Sequence, residues 1–133
     1  MRYVLLLGRI LFSSLFIIKG LSHFSKAAID FATKMGVPMA SVLVPIGGIV
    51  VLLGGLSILL GYKTRIGAWL IVIFLIPTTF MMHKFWMIKD ANHAMMHNYC
   101  FWKNIALLGA ALMVAYFGSG PCSLCKECCT RKK

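Results

Sequence analysis

Three sets of residues have the types and spacing to carry chemistry. Arg9 stands inside an apolar run, roughly 10 Å of helix rise from its start. At that depth in a bilayer a guanidinium costs on the order of 2 kcal/mol or more unless it snorkels or finds an acceptor. No Asp or Glu interrupts any apolar run. That leaves a backbone carbonyl, Tyr, Ser, a lipid phosphate or a ligand to receive its hydrogen bonds. The second set is Met81-Met82-His83-Lys84-Phe85-Trp86-Met87, followed by His93-Ala94-Met95-Met96-His97 and Cys100. Imidazole and thioether together suit copper among the transition metals, and His93 and His97 share a face if the stretch is helical. The third set is Cys122, Cys125, Cys128 and Cys129, spaced C-x2-C-x2-C-C among basic residues. That spacing can ligate zinc or another thiophilic ion, while thiol redox chemistry, lipidation and a free tail are its alternatives.

The elements that must position these groups are set by composition. Hydrophobic residues make up 60% of the chain and charged ones 13%, too little polar surface for a water-facing globule. A soluble enzyme is excluded. The apolar residues fall into four blocks, about residues 3–20, 42–60, 67–82 and 103–117, each near the length that crosses a bilayer. The expected fold is therefore all-α, an integral membrane four-helix bundle. Arg9 interrupts the first block and no small-x-small site follows before Lys19, so that block reads as a retained span and not a cleaved signal.

Between spans one and two, Ser25 can cap a short helix bearing Ala28, Ile29, Phe31, Ala32 and Met35, with Gly36 as its stop and Pro38 beyond. Lys26, Asp30 and Lys34 at intervals of four make it an interfacial amphipathic helix. The short connection 61–66 forces spans two and three into an antiparallel hairpin. Residues 83–102 read as a longer segment covering one mouth of the bundle. Small residues Gly47, Gly48, Gly54, Gly55 and Ser57 in span two, and Ala106, Gly109, Ala110, Ala111 and Ala115 in span four, offer close helix packing. Pro77 should kink span three, with Thr78 and Thr79 available to freed backbone groups. The domain organisation is a four-span domain over 1–120 and a cysteine-rich basic tail over 121–133, held away from span four by Gly118 to Pro121.

The balance of 14 Lys and Arg against 3 Asp and Glu gives a formal charge of +11. The cations sit singly at block ends and in the tail, which suits anionic headgroups and excludes nucleic acid as a partner. With an even number of spans both termini share a side. That side carries Arg2, Lys63, Arg65, Lys126, Arg131, Lys132 and Lys133, seven cations, against six from Lys19, Lys26, Lys34, Lys84, Lys89 and Lys103. The short basic hairpin loop and the terminal cluster favour a cytoplasmic location for both ends.

The order of Leu5-Leu6-Leu7-Gly8-Arg9-Ile10-Leu11, Gly20-Leu21-Ser22-His23-Phe24, Met35-Gly36-Val37-Pro38, Leu52-Leu53-Gly54-Gly55, Leu59-Leu60-Gly61-Tyr62-Lys63-Thr64-Arg65, Thr79-Phe80-Met81-Met82-His83-Lys84-Phe85-Trp86 and Lys103-Asn104-Ile105-Ala106-Leu107-Leu108-Gly109 resembles the DoxX family. The resemblance implies a small inner-membrane four-helix protein related to subunits of quinol oxidases and thiosulfate:quinone oxidoreductases. It implies a non-catalytic subunit or accessory of a quinone-linked system, with a membrane or peripheral oxidoreductase, or a second copy of itself, as partner. Arg9, with His83, Trp86 and Asn104 from these motifs, are the candidate ligand-binding residues. His93 and His97, with the four tail cysteines, are the candidate metal ligands. Quinone is the leading cofactor, ahead of copper or zinc. A metal- or thiol-handling membrane protein, and a structural or transport protein, are the rival readings. Val51 stands where many relatives carry a glutamate.

Overall fold

The computed structural model describes residues 2–120 and 123–124. Five α-helices follow in order: α1 (Arg2–Ser22), α2 (Lys26–Lys34), α3 (Ala40–Leu60), α4 (Thr64–Met82) and α5 (Ala91–Phe117), with a 3-10 turn at Phe85–Met87. There is no strand among the described residues. Four helices are long and apolar enough to cross a membrane, so the chain is an all-α four-span bundle.

Local signals set the ends. The Ser25 hydroxyl accepts from the Ala28 N–H and opens α2. At its other end Gly36, at φ +82°, lets its own N–H reach the Thr33 carbonyl and that of Val37 reach Ala32. This double closure satisfies carbonyls that would otherwise be left bare. Gly61, at φ +70°, closes α3 in the same way onto Ile58 and Ser57. In α4 the Thr78 hydroxyl bonds the Phe74 carbonyl, one turn along the helix from Pro77.

The fourth span corrects the sequence reading. The helix begins at Ala91, well before the expected start near Lys103. Asp90 caps it through the Asn92 N–H. Neither Gly nor Pro occurs between Ala91 and Leu108, so nothing breaks the helix even though its first turns carry Asn, His and Met in place of leucine. At 1.5 Å per residue its 27 residues span about 40 Å, beyond the ~30 Å hydrocarbon layer. The first turns project past the lipid core.

Close backbone approach decides which helices touch. α3 packs on α1 and on α4, and α4 packs on α5; α1 and α5 make no comparably close approach. A Cβ on Gly20 would lie 3.1 Å from the Gly48 carbonyl oxygen, and one on Gly48 would lie 3.0 Å from that of Gly20. Gly54 and Gly67 form the same reciprocal contact between α3 and α4, each Cβ falling 2.9 Å from the other's oxygen. In span four the expectation holds only in part. Ala111 and Ala115 are buried, whereas Ala106 is exposed and Gly109 faces open space. The core is Phe16, Val51, Ile58, Ala68, Ile71, Val72, Leu75, Ala111 and Ala115. Val51 is fully buried within it.

After α5 the chain turns at Gly118 and Gly120, both at positive φ, and folds back. Ser119 is buried, and the Leu124 N–H donates to the Leu60 carbonyl at the end of the α3–α4 hairpin. Of the tail expected over 121–133, residues 123–124 are described, and they lie against the hairpin and not apart from the bundle. The cysteines at 122, 125, 128 and 129 lie outside the described residues.

Gly54→Ala or Gly67→Ala should force two backbones apart and lower stability by about 1–3 kcal/mol. Gly109→Ala, with nothing near its Cβ, should be neutral or stabilising by up to ~1 kcal/mol through helix propensity. Thermal unfolding in detergent, followed by circular dichroism, checks both.

Candidate ligand cavity

The two ends of the bundle differ in character. At the end bearing the termini, Arg9 is 8% exposed. Its Nη1 donates to the Ser119 carbonyl at 2.7 Å. The guanidinium therefore takes a backbone carbonyl, one of the acceptors open to it. Gly61 makes room, since a Cβ there would come within 3.0 Å of the same Nη1. Ser13, fully buried one turn along α1, donates to the Arg9 carbonyl. The Ser57 hydroxyl donates to the Tyr62 carbonyl and fixes the hairpin loop. This end is closed by hydrogen bonds.

The other half holds a cavity of about 660 Å³ between α1, α3, α4 and α5, roofed by α2. Its walls are apolar, with Leu15, Phe16, Val44, Phe74, Leu75 and Leu107 prominent. Polar groups are few: Lys19, Ser22 and His23 from α1 and its end, Thr78 from α4 and His83 just after it, and Cys100, Lys103 and Asn104 from α5. No Asp or Glu lines it. The size and this pattern of lining fall within the ~300–1,000 Å³ range of small-molecule sites.

Asn104 is the most informative of these groups. It is 8% exposed and its side chain makes no hydrogen bond among the described residues. Its amide is not sealed off but opens onto the cavity, where it is available to bond whatever occupies that space. The spacing of His97, Asn104, Ala111 and Ala115 on α5 puts all four on its buried face.

The structure separates the four candidate ligand residues. His83 and Asn104 line the cavity; Arg9 does not and lies at the opposite end. Trp86 is 57% exposed and packs outward, edge-on to Phe85 and Phe101. The candidate metal ligands are also distributed. His93 bonds the Asp90 carboxylate and is solvent-facing, whereas His97 is buried and meets His83. The His93 contact, then the Asn92 N–H, holds the exposed Asp90 carboxyl below its usual range. Spacing alone missed the cavity role of Lys19, His23 and Lys103. The signal available for Lys19 and His23 was their position at the end of span one, and for Lys103 its position at the start of the fourth apolar block.

Exposed apolar side chains cover the outside of the bundle, and aromatic residues gather at its two ends: Tyr3, Tyr62 and Tyr116 at one, Trp86, Tyr99 and Trp102 at the other. Such belts belong at the two membrane interfaces. Fold and cavity together define a multi-pass membrane protein with an apolar pocket in one half of the bundle, roofed by α2. The chain belongs to the DoxX family, whose model matches residues 4–84. It is 32% identical over 124 residues, 91% of this chain and 87% of the other, to a protein of Escherichia coli (strain K12) described as inner membrane protein YphA. No solved structure matches. The chain is accordingly a multi-pass inner-membrane protein.

Arg9→Leu should insert normally, since removing a charge from a span helps insertion. It should lower stability by roughly 1.5–3 kcal/mol, the worth of a hydrogen bond to a charged group. Thermal unfolding checks this, and limited proteolysis should cut sooner between Gly118 and Leu124.

Proposed function

We propose that this protein is a non-catalytic accessory of a quinone-linked membrane oxidoreductase system, holding the quinone head in the cavity beside Asn104. The single observation that carries the reading is the Asn104 amide, on a residue 8% exposed, opening onto an apolar cavity. A quinone is a flat ring with carbonyl acceptors on an apolar tail. The Asn104 amide can donate to a carbonyl oxygen of the oxidised head or accept from a hydroxyl of the reduced one. It does both without changing charge, so it serves either redox state. Lys19 and Lys103 supply further donors at the rim. Phe74, Leu75 and Leu107 offer apolar surface to the tail. Electron transfer itself belongs to the quinone and to the partner that reduces or oxidises it. This chain binds, orients and shields the ring. With both termini assigned to the cytoplasm on the short basic hairpin loop and the terminal basic cluster, the cavity lies in the half of the bundle toward the far face.

Two measurements test this. Protein purified in mild detergent should yield quinone on organic extraction and mass spectrometry. Asn104→Leu, a swap of similar volume, should lose most of it, while Arg9→Leu keeps it. A wild-type extract holding only phospholipid, or an unchanged quinone content in Asn104→Leu, would remove the basis of the reading. For topology, a membrane-impermeant thiol reagent on intact cells should reach a cysteine placed at Asn92 and miss the tail cysteines; tail labelling would invert the assignment.

A further inference from the structure

His83 and His97 meet where α4 ends and the projecting turns of α5 pass over the bundle. Their Nδ1 atoms are 3.4 Å apart, with ring planes tilted by 54°. His97 is buried, and Phe31 of α2 stacks on it at 6.1 Å between centroids and 16° between planes. Two imidazoles from different helices are thus held with their nitrogens facing one another beneath a roof.

A nitrogen–nitrogen separation of 3.4 Å is long for a hydrogen bond, which prefers about 2.7–3.2 Å. It suits another arrangement. Two imidazole nitrogens bound to one ion at about 2.0–2.1 Å, with an angle between tetrahedral and trigonal, lie about 3.3–3.6 Å apart. The surrounding donors decide which ion. Among the described residues no three His, Cys, Asp or Glu side chains converge, so a zinc-type donor set is not built. What shares the cavity wall with His83 is soft: the thioethers of Met81 and Met82 and the thiol of Cys100, one turn beyond His97 on α5. Thioether sulfur selects copper(I), which imidazole also binds. Lys19 and Lys103 line the same cavity, and their charges repel a monovalent ion less than a divalent one.

We propose that His83, on the cavity wall, and His97 behind it form a copper(I) site, completed by thioether sulfur from the Met81-Met82 pair. The pairing differs from the i, i+4 pair of His93 and His97, because His93 is turned outward onto Asp90.

The test uses the full-length chain with Cys122, Cys125, Cys128 and Cys129 all changed to Ser, so that the tail thiols do not compete. It is titrated anaerobically with copper(I) against a chromophoric chelator. About one equivalent should bind, and His83→Ala or His97→Ala should each weaken binding on the order of tenfold or more, at least the cost of losing a ligand's supporting contact. Met81→Leu combined with Met82→Leu should also weaken it, and His93→Ala should not. His97→Gln, which keeps a polar group at the buried position, guards against loss of fold and should show the same loss of copper with an unchanged melting profile. Binding that survives in His83→Ala, or is lost in His93→Ala, or never reaches stoichiometry, overturns the proposal. Asn104→Leu should leave copper binding intact, so this site and the quinone reading fail separately.

Discussion

The bundle depends on how closely α3 can approach its two neighbours. In a bilayer the lipid tails are as apolar as leucine, so helices associate through contact and not through escape from water. Gly20 against Gly48 and Gly54 against Gly67 remove the side chains that would hold backbones apart, and each contact is reciprocal. α1 and α4 are thereby drawn onto α3, α4 takes up α5, and α1 and α5 are left further apart. The cavity occupies the upper part of that unclosed side, roofed by α2. Packing of small residues at one interface thus leaves room at another.

The two ends of the bundle use polarity in opposite ways. Around Arg9, polar groups reach backbone carbonyls: guanidinium to Ser119, Ser13 to Arg9, Ser57 to Tyr62. Each bond consumes a group that lipid could not satisfy, and the end becomes rigid. Around Asn104, polar groups face a void lined by aliphatic and aromatic carbon. No carboxylate lines the cavity among the described residues. Val51 is buried among carbon atoms, and the charged groups that reach the interior among the described residues, Arg9, Lys19 and Lys103, are cations.

Much of this architecture was legible in the chain's pattern. The first three apolar blocks, the Ser25 cap, the Gly36 stop and the tight hairpin at Gly61 each rest on local physics, and each stands at its expected place. The early start of α5 was hidden because hydropathy measures lipid compatibility and not helicity, and residues 91–102 are helical without being uniformly apolar. The separation of Arg9 from His83 and Asn104 was hidden for a different reason. Motif order along a chain carries no information about which end of an antiparallel bundle a residue occupies until each span's direction is followed. The pairing of His97 with His83 depends on a contact between α4 and α5 that periodicity within α5 cannot show.

The bond between Arg9 and the Ser119 carbonyl also has a temporal meaning. Its partners are separated by 110 positions, and the chain is made from the N-terminus at about 5–20 residues per second, so roughly 5 to 20 s pass between synthesis of the two. During that interval α1 is already in contact with lipid while its eventual acceptor does not exist, and the guanidinium must stay at the headgroup layer, where phosphate can hold it. Once Ser119 has been made and α5 has docked, its carbonyl can replace phosphate as the acceptor, so closure of this end waits on residues beyond the fourth span.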